Sequence, residues 1–212
     1  MDLEMIFEFA KGVLESDATG HDWRHTLRVE QNALRISPDD LADEELAVVR
    51  TAVWLHDTID DKVDASQRKS ADDVAAILSE SGATTAEVNE ILDIIQNLSY
   101  SKNLERKYEL SALGQIVQDA DRLDALGAIG IARAFYYGGH KGEPLYDDSR
   151  PRAFEDLTEA SYREGSSVIN HFYEKLLLLE DSMNTVAGTT EALKRTRFMR
   201  EYLEQLYNEI DE

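Results

Sequence analysis

Cysteine is absent from the chain. Disulfides, thiolate zinc sites and cysteine nucleophiles are therefore excluded, and any metal must be held by His, Asp, Glu and water. Proline occurs only three times, which leaves long stretches free to be helical. Basic residues are few: 22 Lys and Arg stand against 43 Asp and Glu, for a formal net charge of −21. A surface of that sign argues against nucleic acid as a partner, because binding to a phosphate backbone is driven by cationic neutralisation. It argues equally against an anionic membrane; the ordinary service of such charge is solubility. No apolar run approaches the ~18 residues of a membrane span. The N-terminal residues Met1-Asp2-Leu3-Glu4 are acidic where a signal peptide is basic, so a cytoplasmic location is expected.

What is present points to helix. With 212 residues, 42% hydrophobic and 31% charged, the chain can bury one good core and reads as one domain. Apolar residues recur at helical spacing over about 3–15, 21–36, 44–57, 66–81, 84–98, 112–137, 154–179 and 190–209, with a break at Gly127 or Gly130 in the sixth. Ser37-Pro38 stops the second helix, and Gly82 caps the fourth. Residues 99–110 read as a polar loop, and Gly138–Pro144 as the least helical stretch of all. No strand pattern appears. The expected architecture is an all-α single-domain helical bundle, in which Leu176–Leu179 and the last helix have a homodimer as one outlet for their apolar surface.

Three of these helices carry polar side chains inside otherwise apolar stripes. His25 lies with Val29, Ala33 and Ile36; His56, followed by Asp57, lies with Val49, Ala52 and Val53; Asp121 lies with Val117, Ala120, Ala128 and Ile131. Buried imidazoles and carboxylates need partners, since unpaired polar groups and charges are costly inside. Taken singly, each has a structural reading, a hydrogen-bonded core His or an Asp capping a neighbouring helix. Taken together they form a mixed nitrogen and oxygen set suited to Mn²⁺, Fe²⁺, Co²⁺ or Zn²⁺. Asp119 competes with Asp121, but it lies about 200° around the helix from it. A second His-Asp pair, His21-Asp22, comes after no clean apolar helix and ranks as a decoy or an outer partner.

The order His25…His56-Asp57…Asp121 resembles the signature of the HD-domain metal-dependent phosphohydrolases. The strings Gly20-His21-Asp22-Trp23-Arg24-His25-Thr26-Leu27-Arg28-Val29, Leu55-His56-Asp57-Thr58-Ile59-Asp60-Asp61-Lys62 and Gln118-Asp119-Ala120-Asp121-Arg122-Leu123-Asp124 are similar to the bacterial subgroup that includes nucleotide pyrophosphohydrolases acting on deoxynucleoside triphosphates. The resemblance spans about residues 20–150, with C-terminal helices over about 151–210. It implies an HD-type bundle and one divalent metal ion, Mn²⁺ first among Mg²⁺, Fe²⁺, Co²⁺, Ni²⁺ and Zn²⁺, held by His25, His56, Asp57 and Asp121. With His140 and His171 the only other histidines beyond His21, one ion is expected and not two. Asp124 and His21 are the candidates for orienting the ligands from behind.

A divalent ion supplies hydroxide near neutrality and polarises a phosphoryl oxygen, and phosphoryl transfer needs in-line positioning with cations around the non-bridging oxygens. Asp60, which the resemblance assigns to orienting water or handling a proton, and Lys62 are the expected catalytic side chains. Arg24, Arg28, Arg122, His140 and Lys141 are candidates for the substrate phosphates, with surface ion pairs or a plain connection as the structural alternatives. Tyr136, Tyr137 and Tyr146 are candidates for a base stack, with helix packing as theirs. The expected partner is a small-molecule nucleotide, a nucleoside or deoxynucleoside triphosphate cleaved to monophosphate and pyrophosphate. The competing activities are 5′-nucleotidase, cyclic nucleotide phosphodiesterase and, less well matched, alarmstone hydrolase; the competing class is a helical metal- or nucleotide-binding sensor without turnover.

Overall fold

Helix-starting side chains mark the beginning of most elements. In the computed structural model, which describes residues 1–15, 22–60, 63, 65–100, 108–153, 157–158 and 165–210, Asp2 accepts from the amides of Glu4 and Met5 and opens α1 (Leu3–Leu14). Asp22 accepts from the amide of His25 at 2.9 Å and opens α2 (Trp23–Ile36). Asp43, Glu44 and Glu45 set negative charge in the first turn of α3 (Asp43–Leu55), where it meets the positive end of the helix dipole. Reciprocal caps between Ser70 and Asp73 and between Thr84 and Glu87 start α4 (Ala71–Glu80) and α5 (Thr85–Asn97). Ser111 Oγ accepts from the Gly114 amide at 3.0 Å at the start of α6 (Ala112–Asp124). Next along the chain come α7 (Gly127–Lys141), α8 (Val168–Glu174), a 3-10 helix (Leu176–Ser182) and α9 (Val186–Ile210). No strand occurs among the described residues, which is the all-α architecture that composition and periodicity predict.

The chain divides between Asp121 and Arg122 into two compact units. In the first, α3 packs closely on α1, α2 and α5, and α4 packs on α5. The buried apolar set runs through Ile6, Leu14, Val29, Ala33, Val49, Val53, Ile91 and Val117. Phe7 stands edge-on to Trp23 and Trp54, with ring centroids 4.8 and 5.3 Å away. α3 is buried on every side from Thr51 to Leu55. The residues after its last turn are therefore delivered into the interior, and those residues are His56 and Asp57.

In the second unit α9 packs on α7 and the 3-10 helix, and α8 packs on both of those. Two expectations from sequence need correction here. Gly138–Gly142 does not form a loop: α7 continues to Lys141, and the chain leaves it only at Gly142, in the left-handed region at φ 72°. Gly138 is a packing glycine, because a Cβ there would collide with Val168 Cγ2. Nor does one helix cover about 154–179. The described residues 157–158 and 165–167 are not helical, Gly165 has φ 78°, and Ser167 caps α8 through the Asn170 amide. The helix then breaks at Lys175, φ −140°, into the 3-10 turn that buries Leu176, Leu177 and Leu179. Residues 154–156 and 159–164 of that span lie outside the described set.

Candidate metal centre

Three helices bring four ligand-type side chains to one point of the first unit. His25 is in the first turn of α2, its amide tied to the capping Asp22. His56 and Asp57 come directly after Leu55, the last residue of α3. The turn that holds them is closed by the Thr58 amide and hydroxyl on the Leu55 carbonyl, at 3.0 and 2.7 Å, and by the Asp60 amide on the Asp57 carbonyl at 3.1 Å. The Lys69 amide bonds the Thr58 carbonyl at 2.9 Å and pins the turn from the other side. Asp121 sits near the end of α6.

The distances are short. His25 Nε2 lies 3.3 Å from His56 Nε2 and 3.4 Å from both Asp57 Oδ2 and Asp121 Oδ1. His56 Nε2 lies 3.3 Å from Asp57 Oδ2 and 3.8 Å from Asp121 Oδ1. One ligand atom from each of His25, His56 and Asp121 falls within 4.8 Å of the others. His25, His56 and Asp57 are buried, whereas the Asp121 side chain is 38% exposed. The cluster therefore reaches solvent on the Asp121 side.

The donor chemistry fits a cation. His56 Nδ1 lies 2.7 Å from the Val53 carbonyl, an acceptor only, so the neutral ring carries its proton on Nδ1 and turns the lone pair of Nε2 toward the cluster. The atoms facing one another there are then mostly lone pairs, those of two carboxylates and the His56 imidazole. Such a crowd of lone pairs repels itself unless positive charge enters. Without a metal that charge comes from protons. Burial pulls the His56 imidazole down, but the charge and hydrogen bond of Asp57, with Asp121 behind them, outweigh burial and raise it. Burial likewise pushes the Asp121 carboxyl up, and the His25 hydrogen bond and both imidazoles outweigh that and hold it well below the usual range. A borderline divalent ion answers the same deficit with an N₂O₂ set.

The other residues expected from sequence to serve the site are spread over both units. Arg24 is exposed and Arg28 half-buried on α2, on either side of His25, and Asp60 is half-buried just beyond the cluster. Lys62 and His21 lie outside the described residues. Arg122, His140 and Lys141 belong to the second unit. There the Arg122 guanidinium donates to the Ser182 carbonyl, and Lys141 Nζ stands 5.6 Å from the Tyr137 ring centre on the exposed last turn of α7. Asp124, fully buried, pairs with Arg133 at 2.5 Å. Tyr136, Tyr137 and Tyr146 are exposed. Two polar groups bonded to these residues or their neighbours are not singled out from the sequence. The Val53 carbonyl is one, and no pattern signals a backbone acceptor. Asn32 is the other; it sits on the buried stripe of α2 seven residues after His25, a spacing that the apolar periodicity makes visible.

No helix among the described residues is long and apolar enough to cross a membrane. The family described as HD domain matches residues 22–126. Bacillus subtilis YpgQ is 36% identical over 98% of this chain and 93% of its own length, and its crystal structure in complex with ADP superposes with a TM-score of 0.78, covering 98% of this chain and 94% of that one. A Lactobacillus plantarum protein of known structure is 40% identical with a TM-score of 0.86, covering 99% and 97% of the two chains. An HD-superfamily hydrolase from Bacillus thuringiensis is 39% identical with a TM-score of 0.74, covering 99% and 96%.

Proposed function

The chain belongs to the HD-domain superfamily of metal-dependent phosphohydrolases, and on that premise we propose that it cleaves a nucleoside or deoxynucleoside triphosphate to the monophosphate and pyrophosphate. The observation that carries the reading is the meeting of His25 Nε2, His56 Nε2, Asp57 Oδ2 and Asp121 Oδ1 in one cluster whose Asp121 side chain is open to solvent. That a 36% identical relative is crystallised with ADP supports a nucleotide as the ligand class.

In this reading His25, His56, Asp57 and Asp121 hold one divalent ion, proposed as Mn²⁺. Bound there, it lowers the pKa of a water and polarises a phosphoryl oxygen. The chain's own groups do the rest. The Val53 carbonyl fixes the His56 ring by accepting a hydrogen bond from Nδ1, and Asp57 lies at the opposite side of the ring. Asp60, one turn on, accepts the proton that the attacking water loses. Arg24 and Arg28, one turn apart on α2, are proposed to neutralise non-bridging oxygens, and Lys62 is proposed to do the same. The new bond joins water oxygen to the α-phosphorus, and the α–β bridging oxygen leaves with pyrophosphate.

The experiment is a screen of nucleotides against the metal-stripped full chain resupplied with single ions, run in ¹⁸O water with product identification. Intact pyrophosphate together with ¹⁸O-labelled monophosphate is expected. Stepwise release of single phosphates, or turnover confined to monophosphates or cyclic nucleotides, would replace this reading with a nucleotidase or a phosphodiesterase.

A further inference from the structure

α2 presents a second polar side chain on the buried face that carries His25. Asn32 is 5% exposed and lies two turns on, roughly 10 Å along the axis. Its Nδ2 donates to the Ala120 carbonyl at 3.1 Å. That oxygen belongs to the planar peptide group joining Ala120 to Asp121, so the bond fixes the plane from which the Asp121 side chain departs. We propose that Asn32 is a positioning residue, which sets the Asp121 carboxylate against the His25 imidazole by holding the Ala120–Asp121 peptide group to α2. The inference rests on the reading of the cluster as a metal site.

The packing explains why such a bond is needed. α2 and α3 approach each other closely, which places His25 and His56 by the fit of two helices. Asp57 is adjacent to His56 in the same closed turn, and the His56 ring is anchored on Val53. α6 is held through its buried side chains Val117, Ala120 and Leu123, and the Asn32 bond adds a direct tie between α2 and the backbone that carries Asp121. Asp121 is also the member of the cluster most open to water, and solvent competes for its oxygens. A buried amide whose acceptor is lost bears its full desolvation cost, and this ties Asn32 to Ala120. Leucine matches asparagine roughly in bulk but donates nothing.

The test compares the full-length wild type with Asn32→Leu, Asn32→Ser, Asp57→Ala and Asp121→Ala. Mn²⁺ affinity is measured calorimetrically on metal-stripped protein, the visible spectrum is taken with Co²⁺ in place of Mn²⁺, and the metal-free protein is melted. Asn32→Leu is expected to weaken Mn²⁺ binding about 10- to 100-fold, the range typical of losing a partner behind a ligand, and to alter the cobalt bands. Asn32→Ser, which leaves room for a bridging water, is expected to show a smaller loss of the same kind and serves if the leucine variant does not fold. In the Asp121→Ala background the Asn32 effect on affinity should vanish, because the two act through one another. An unchanged affinity and cobalt spectrum with only a lowered melting temperature would overturn the inference, as would an equal loss with and without Asp121. Mn²⁺ binding by Asp57→Ala at wild-type strength would instead overturn the metal-site reading itself.

Discussion

Arg152→Ala should destabilise the protein by about 3 kcal/mol at neutral pH, and the effect should fade in acid. Glu174 is 1% exposed. Its Oε1 accepts from the Arg152 amide and Nε at 2.9 and 3.0 Å, and its Oε2 from Arg152 Nη2 and Ser166 Oγ at 2.6 and 3.0 Å. Removing the guanidinium leaves a buried carboxylate with its amide and hydroxyl donors only. Breaking a buried pair from one side costs ~3–5 kcal/mol, and the two surviving donors, with an Arg152 side chain that is 28% exposed, place the value near the lower end. Burial pushes the Glu174 carboxyl up, and the Arg152 and Ser166 bonds outweigh that and hold it below the ordinary glutamate value. A depressed folded-state pKa gives stability that is fully present above the unfolded value of ~4.3 and is lost as pH falls through the folded one. The gap between wild type and variant should therefore be widest near neutral pH and narrow in acid, as Glu174 is protonated first in the variant, where burial is no longer opposed by Arg152, and at lower pH in the wild type. Urea unfolding followed by circular dichroism from neutral pH into acid measures it. A gap under about 1 kcal/mol at pH 7, or one that ignores pH, would refute the account, and Glu174→Gln added to Arg152→Ala should restore part of the loss.

Three further outcomes are expected. Asp57→Ala should lose bound Mn²⁺ in elemental analysis, and its pyrophosphate release should fall by more than the ~100-fold that losing a partner behind a ligand costs. Lys62→Ala should lower turnover while metal content stays at the wild-type level; loss of metal would assign Lys62 to folding instead. Gly138→Ala should destabilise by up to about 2 kcal/mol in chemical denaturation, because a Cβ driven into Val168 Cγ2 costs ~1–3 kcal/mol in overpacking against a helix-propensity gain of ~1. Adding Val168→Ala should then lessen the Gly138→Ala penalty.

The first unit is legible in the sequence because its signals are local. Caps such as Asp22, Ser70 and Thr84 and clean apolar stripes give helices whose buried faces are those the periodicity marks. The same stripes put His25 and His56 inward, and the adjacency of Asp57 to His56 does the rest; helical phase is a poorer guide on α6, where Asp119 is fully buried and the Asp121 side chain, which meets the two imidazoles, is 38% exposed. The second unit is harder to read for a physical reason. Gly138 and Gly139 carry weak helix propensity, and only the approach of Val168, 30 residues away in sequence, shows that glycine is there for contact and not for bending. The leucine run 176–179 looks like more of one long helix, yet the chain breaks at Lys175, directly after Glu174, which is buried against an Arg152 partner 22 residues back. Asp124 illustrates the same limit. Its position one turn after Asp121 suggests service to the metal cluster, yet Arg133, nine residues on, takes its carboxylate. Partners set by tertiary packing leave no mark in the spacing of one segment.

On the proposed reading, a chain of charge −21 binds an anionic nucleotide against its own field. The local arrangement supplies the remedy in three parts. His56-Asp57 and Asp121 lie at the C-terminal ends of α3 and α6, where helix dipoles favour a cation. His25 lies in the first turn of α2, where the dipole favours an anion, and Arg24 and Arg28 add positive charge on that helix. These forces act within a few ångströms, whereas the repulsion of the whole surface acts over the Debye length, ~30 Å at 0.01 M salt and ~10 Å at 0.1 M. Salt should accordingly screen the repulsion more than the attraction. The expected result is that kcat/KM for a nucleoside triphosphate rises between about 0.01 and 0.1 M monovalent salt at saturating metal, opposite to an electrostatically steered enzyme. A steady fall over that range would mean that positive potential extends well beyond the site, and that the acidic surface lies where an approaching nucleotide does not meet it.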